Sequence, residues 1–423
     1  MMSTRCSFFF LPSRCVVILL AALLSCTAMA ENWPGWRGPR GDGTSEEKQI
    51  PTQWSATENI AWKVAVPGIG HSSPIIWQDH LFLTTCITDT GDRQLLALDR
   101  KTGQSLWTQT VLTSPLEGKH KLNSYASSTP ATDGKLVYVS FLQGKEMCIA
   151  AYDFEGKQKW MVKPGTFSSV HGYCASPILY KDTVIINGDH DGPGYIVALE
   201  AATGKTRWKI NRDHNTRSYC TPIIRDIGGR TQMILAGSKH VASYDPNDGS
   251  RHWKVEGPTQ QYVASLVYNG DLLFLTCGFP TQHVMAIRPD GKGDVTQTHV
   301  AWHHPTKDAA YVPSPIVVGP YFIVVDDFGT VTCYEAKSGD TVWSEKLARH
   351  YSASIVLADG LAYCLADEGT QRSESGVMTI IKPGPKLEII ATSKLDEPAY
   401  GSPAISQGQI FIRTEKHLFC IGK

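Results

Sequence analysis

The sequence predicts an all-β protein: an eight-bladed β-propeller with four-stranded antiparallel blades, closed by an N-terminal strand that joins the C-terminal blade. Three observations carry this prediction. The stretch ALDRKTGQSLW (97–107) returns as ALEAATGKTRW (198–208), SYDPNDGSRHW (243–253) and CYEAKSGDTVW (333–343), with a shorter copy, AYDFEGKQKW (151–160), and a decayed one over 286–302. Repetition at this period implies small sheets stacked around an axis, none of which buries its faces alone. A small-residue signal opens each unit: Ser73-Pro74, Thr129-Pro130, Ser176-Pro177, Thr221-Pro222, Ser265-Leu266, Ser314-Pro315, Ser354-Ile355 and Ser402-Pro403, spaced 40 to 56 residues apart. Finally, the last unit runs out after three strands, and the segment NIAWKVAV (59–66) supplies a fourth with no strands of its own before it.

Taken from the N-terminus, residues 1–30 read as a secretory signal peptide. Arg5 and Arg14 precede an apolar run over 16–24, and Ala28-Met29-Ala30 is an A-x-A cleavage site. The run is too short for a permanent membrane span. A lipoprotein signal ending at Cys26 is the rival, which the A-x-A ending disfavours. The chain is therefore expected to be exported, to the periplasm or beyond, and not to span a membrane. Residues 31–58 form an arm containing WPGWRGPRGDGTS (33–45), too rich in Gly and Pro for regular structure and too rich in Trp and Arg for a free linker. The propeller occupies 59–423.

Within a unit the order repeats: an apolar strand after the opening signal, a polar turn, a second apolar strand, a third of the LLALD type, a tight turn, and a fourth strand bearing Trp. Gly103, Gly204, Gly249 and Gly339 stand where that turn needs a positive φ. Asp99, Glu200, Asp245 and Glu335 precede them as acceptors for the turn's N–H groups. Each Trp is read as structural, packed against the next blade with about 4–6 kcal/mol of gross burial. Pairing Asn59–Val66 beside the last strand removes the exposed sheet edges and sets Trp62 next to Cys420.

Charge and cysteine content exclude several classes. Without Arg5 and Arg14 the chain holds 38 Lys and Arg against 40 Asp and Glu, which gives no electrostatic case for a nucleic-acid partner. The eight cysteines beyond residue 30 fall about one per unit in strand-like runs, with no C-x-x-C, so zinc and redox motifs are unsupported. They read as small buried hydrophobes, and spacing leaves open whether Cys174 and Cys220 pair. No Ser-His-Asp order, phosphate loop or H-E-x-x-H appears, so no catalytic residue is assigned. An EF-hand-like run, Asp189 to Glu200, has Pro193 at a ligand position and strands for flanks, and is read as chance.

A second regularity is polar. An aromatic or His precedes each opening signal: His71, Tyr125, Tyr173, Tyr219, Tyr262, Tyr311, Tyr351 and Tyr400, with His171, Arg217, Arg349 and His350 close by. This point begins the innermost strand, at the central funnel. Loops between second and third strands, expected on the same face, carry Asp189, Asp191, Asp326, Asp327 and Asp367, which are candidate metal ligands without coordinating spacing. Two readings stand side by side: a binding face for a peptide or small ligand, and tyrosines copied because the packing problem is copied.

The A-x-D-x-x-T-G-x-x-x-W pattern, the S-S-P openings and the NIAW start are similar to the tryptophan-docking repeat of the pyrroloquinoline quinone (PQQ)-like propeller superfamily, over Asn59 to Lys423. That resemblance implies the fold. For activity it implies two classes: quinoprotein alcohol dehydrogenase-like enzymes, which bind PQQ and calcium on the ring axis, and BamB-like non-enzymatic scaffolds of bacterial outer-membrane β-barrel assembly. The short inter-blade segments and the lack of adjacent cysteines match the scaffold. The expectation is therefore a secreted or periplasmic binding scaffold for cell-envelope proteins, without cofactor. The alternative is a quinoprotein-type oxidoreductase using PQQ and calcium, or another enzyme, in the central funnel.

Overall fold

The computed structural model describes residues 1–2, 31–55, 57–371 and 375–422. The signal-peptide reading, with Cys26, falls on residues outside these. The described residues are all-β. Eight antiparallel sheets follow one another around an axis, spanning 75–113, 131–166, 178–211, 223–256, 267–305, 316–346, 356–394, and lastly 404–421 joined by 60–65. We number them blades 1 to 8. The ring closes as predicted: Ile60–Ala65 pairs antiparallel with His417–Ile421, and Trp62 lies opposite Cys420.

The repeated Trp explains how the blades hold together. The indole N–H of Trp62, Trp107, Trp160, Trp208, Trp302 and Trp343 each donates to a turn carbonyl of the following blade, at Arg100, Phe154, Ala201, Pro246, Ala336 and Gly384, over 2.7–3.1 Å. The turn glycine beneath serves twice. Gly204 has φ +73°, and a Cβ there would meet the Trp160 ring at 2.7 Å. Positive φ was legible in the sequence; the close approach of the neighbouring Trp was not. The opening signals form a second belt, because the N–H of Ser73, Thr129, Ser265, Ser314 and Ser354 each donates to the Ser or Thr hydroxyl at the matching position of the next blade.

Two joints depart from the rule. Between blades 4 and 5 the tight turn is replaced by a longer excursion, of which Gly293–Asp294 adds a parallel edge strand to blade 4. Trp253 turns to its own blade, donating to Gln232 Oε1 at 2.7 Å, and Gln232 Nε2 reaches Pro289 O of blade 5 at 2.9 Å. At blade 7 the outer strand holds Ala391 opposite Ile380, where Trp107 lies opposite Ala97 in blade 1. Trp54 of the arm packs there instead, 7% exposed, with its backbone N–H donating to Ser393 Oγ at 3.1 Å and its indole N–H unpartnered.

The arm crosses one end of the channel. Trp33 exchanges backbone bonds with Ile76 of blade 1, Thr132 of blade 2 bonds Pro34 O, and Gly43 and Ser45 pair with Leu357 of blade 7. Arg37 is fully buried on the axis and donates to the carbonyls of Ser314, Ile355, Pro315 and Asp42. Burial lowers its pKa to about 10, which leaves it charged at neutral pH. All eight cysteines among the described residues, Cys174 and Cys220 included, carry free thiols. No helix among the described residues is long and apolar enough to cross a membrane.

Candidate functional site at the mouth of the central funnel

The innermost strands begin at the Ser/Thr-Pro signals, so the residues just before them converge on the axis. There they surround a cavity of about 540 Å³. The arm provides its floor, Trp36, whose indole donates to Ser265 Oγ at 3.2 Å. The opposite end is open.

Four of the aromatic positions read from the sequence line this cavity: His71, Tyr219, Tyr311 and Tyr400. Tyr173, Tyr262 and Tyr351 are packed between blades, at 5%, 0% and 0% exposure. Their surroundings differ: the Tyr173 hydroxyl meets Ser140, that of Tyr262 donates to Gly257 O, and that of Tyr351 has no partner. Tyr125 is half-buried beneath the Arg93 and Lys119 side chains. The copied aromatic thus divides, and the division follows which way each ring turns at the funnel neck. His120, His171 and His350 complete the imidazole lining.

The charged groups are held by local partners. Asp327, in the wall, accepts the N–H of Tyr311 at 2.7 Å and of Val312 at 3.2 Å. Burial raises its pKa. Asp326 accepts Phe328 N and Thr330 N. His350 Nδ1 lies 2.8 Å from Asp367 Oδ2, a contact that raises the imidazole pKa, and Ser352 Oγ donates to the same oxygen. Asp191 pairs with Arg217 at 2.5 Å, and Arg349 lies 3.4 Å from Glu368. Asp189 forms a fully buried pair with Arg212 at 2.9 Å. His71 stacks on Tyr400 at 4.4 Å, and burial with Arg413 beyond it pushes its pKa down to about 3. His171 is lowered chiefly by burial. Among the described residues the lining includes neither Arg nor Lys, and Asp327 is the one carboxylate among them. Its cysteine, Cys174, is a partly buried thiol whose pKa is pushed up to about 12 by desolvation.

What the sequence reading missed is apolar. Leu122, Val170, Phe279, Val312 and Phe328 lie at 47%, 65%, 49%, 38% and 63% exposure in loops of the funnel face. Leu122, Val312 and Phe328 continue into the cavity wall. Water does not favour such a rim, and an exposed cluster of this kind around a concavity marks a binding surface. The signal was available in the loop sequences, where large apolar residues interrupt polar runs, but only the ring closure shows that they share one mouth.

Comparison with known proteins agrees with this architecture. A family model described as outer membrane protein assembly factor BamB matches residues 51–147, 119–287 and 281–377. The outer membrane protein assembly factor BamB of Burkholderia pseudomallei (strain K96243) is 23% identical over 285 residues, 64% of this chain and 65% of that protein. The serine/threonine-protein kinase AfsK of Streptomyces griseus is 26% identical over 210 residues, 49% of this chain and 21% of that protein. The chain therefore spans less than two thirds of either relative. Among solved structures, BamB from Moraxella catarrhalis superimposes with a TM-score of 0.58 at 11% identity, covering 86% of this chain and 97% of that one. At that identity the likeness concerns the fold.

Proposed function

This chain belongs to the family whose model is described as outer membrane protein assembly factor BamB, and from that premise we propose that it is an exported, non-enzymatic binding scaffold that receives a segment of a cell-envelope protein at its funnel. The observation that carries this reading is the asymmetry of the axis. One end is closed by the chain's own arm, while the other opens through a cavity of about 540 Å³ beneath exposed Leu122, Val312 and Phe328. An apolar side chain of a partner gains burial there, and the imidazoles and tyrosine hydroxyls orient backbone groups beside it. The relatives named for outer membrane protein assembly make an envelope protein the natural partner class, and the apolar run at 16–24 with its A-x-A ending suits export.

PQQ with calcium is poorly served by this wall. A polycarboxylate calls for Arg or Lys, and Ca²⁺ for several unengaged oxygens. Among the described residues the lining offers no such cation, and the one carboxylate there, Asp327, already accepts two backbone N–H groups.

The test is recovery of partners from envelope extract by the native chain, by Leu122→Ser with Phe328→Ser at the rim, and by Ile389→Ser with Ile390→Ser on the exposed outer strand of blade 7. Rim changes are expected to reduce recovery at least about tenfold, and outer-strand changes to leave it unaltered. Equal recovery by all three, or saturable binding of PQQ with Ca²⁺ in a fluorescence titration, would overturn the proposal.

A further inference from the structure

A second site lies on the same face but away from the axis, at the top of blade 4. His240 is the first residue of that blade's third strand and Glu256 the last of its fourth, directly opposite one another in the ladder. His214 arrives from the loop linking blades 3 and 4. One ligand atom from each of these residues lies within 4.8 Å of the others. Two imidazoles and a carboxylate around a common point are the donor set of a borderline divalent ion, with bonds of about 2.0–2.2 Å and a fourth position left for water.

Proximity alone does not make a site; the state of His240 does. Its side chain is completely buried. Nδ1 lies 2.8 Å from Ser238 O, so that nitrogen carries the proton and donates it. Nε2 is then a bare lone pair, and it has no hydrogen-bond partner. A buried imidazole oriented by a backbone carbonyl, with its other nitrogen unsatisfied, is how metal-ligating histidines are held.

The loop of His214 is clamped to the same turn. His214 N–H donates to Ser238 Oγ at 3.0 Å, and Ser238 Oγ donates to His214 O at 2.8 Å. Ser238 and Lys239 both have positive φ, +52° and +66°, which shapes the turn that presents His240. The neighbouring cations are each engaged by a carboxylate: Arg212 by Asp189, Arg251 by Asp213, and Lys254 by Glu256 Oε1 and Asp294. Glu256 keeps its second oxygen for a ligand, and Lys254 retains Asp294 if Glu256 turns to a metal.

We propose that His214, His240 and Glu256 form a binding site for a Zn²⁺-class divalent metal ion, independent of the central funnel. The test is isothermal titration of the full exported chain with Zn²⁺ after chelator treatment, together with elemental analysis and the visible spectrum of the Co²⁺-loaded protein. One ion per chain is expected, with the absorption of a low-coordinate nitrogen and oxygen site. His214→Ala and Glu256→Gln lie at partly exposed positions that keep the fold, and each is expected to weaken Zn²⁺ at least about tenfold. His350→Ala in the funnel, whatever it does there, is expected to leave Zn²⁺ affinity unaltered. No stoichiometric uptake, undiminished affinity in both blade 4 variants, or loss of binding in His350→Ala would each overturn the assignment.

Discussion

The two ends of the channel are built from loops of the same repeated unit, yet one is saturated and the other is not. At the arm end, Arg37 gives its N–H groups to four carbonyls and Trp33 is 1% exposed. At the funnel end the polar groups also have partners, but Phe328 and Leu122 stand in solvent over an open cavity. The difference comes from one segment, 31–58, which covers a single face. A closed propeller has two faces to dispose of; here the chain covers one from within, and the other is the face proposed to receive a partner.

The largest effect is expected where the arm enters the axis. Arg37→Ala leaves the carbonyls of Ser314, Pro315 and Ile355 buried without their donor, and should cost about 3–5 kcal/mol, read as a lower urea midpoint. A cost below about 1 kcal/mol would make the arm a passive cover and erase the contrast. Trp54→Ala should follow, at about 3 kcal/mol, because it empties the position that Ala391 leaves in blade 7. Adding Ala391→Trp to Trp54→Ala restores the indole from the strand itself and is expected to recover part of the loss. No recovery would show that Trp54 acts elsewhere than at the blade 7 joint.

These two residues also show where the sequence stopped being legible. Eight blades, the closing strand and the Trp62–Cys420 pairing followed from local repetition, because each blade solves the same packing problem with the same residues. Trp54 and Arg37 fall outside the repeat, and their partners in the blades are more than 250 positions away, so no local pattern announces them. The ring of aromatics was visible as a set of positions. Whether a given ring turns inward, as Tyr311 does, or between blades, as Tyr262 does, depends on the neighbouring blade's side chains. The blade 4 constellation was hidden for the same reason, since His214, His240 and Glu256 meet only through strand register.

At the open end the expected pattern reverses: large effects on binding, small ones on stability. Phe328→Ser removes an exposed ring and should shift the unfolding free energy by no more than about 0.5 kcal/mol, measured by urea titration beside the partner-recovery assay. A loss of several kcal/mol would mean that the rim is part of the core, and the asymmetry between the two ends would fail.

The smallest effect concerns pH at the funnel. Contact with Asp367 raises the His350 pKa above its ordinary value. A group whose folded pKa exceeds its unfolded one binds its proton more tightly when folded. Its stabilisation is therefore complete below the unfolded value of about 6.5 and is lost as pH rises through the folded one. The pair is half-buried at the funnel mouth, so its share is under about 1 kcal/mol. The native chain and His350→Gln should differ more in urea midpoint at about pH 5.5 than at about pH 8.5. An equal or larger difference at the higher pH would mean that the imidazole contributes by packing, as the buried aromatics of the arm do, and that its contact with Asp367 is not charge-dependent.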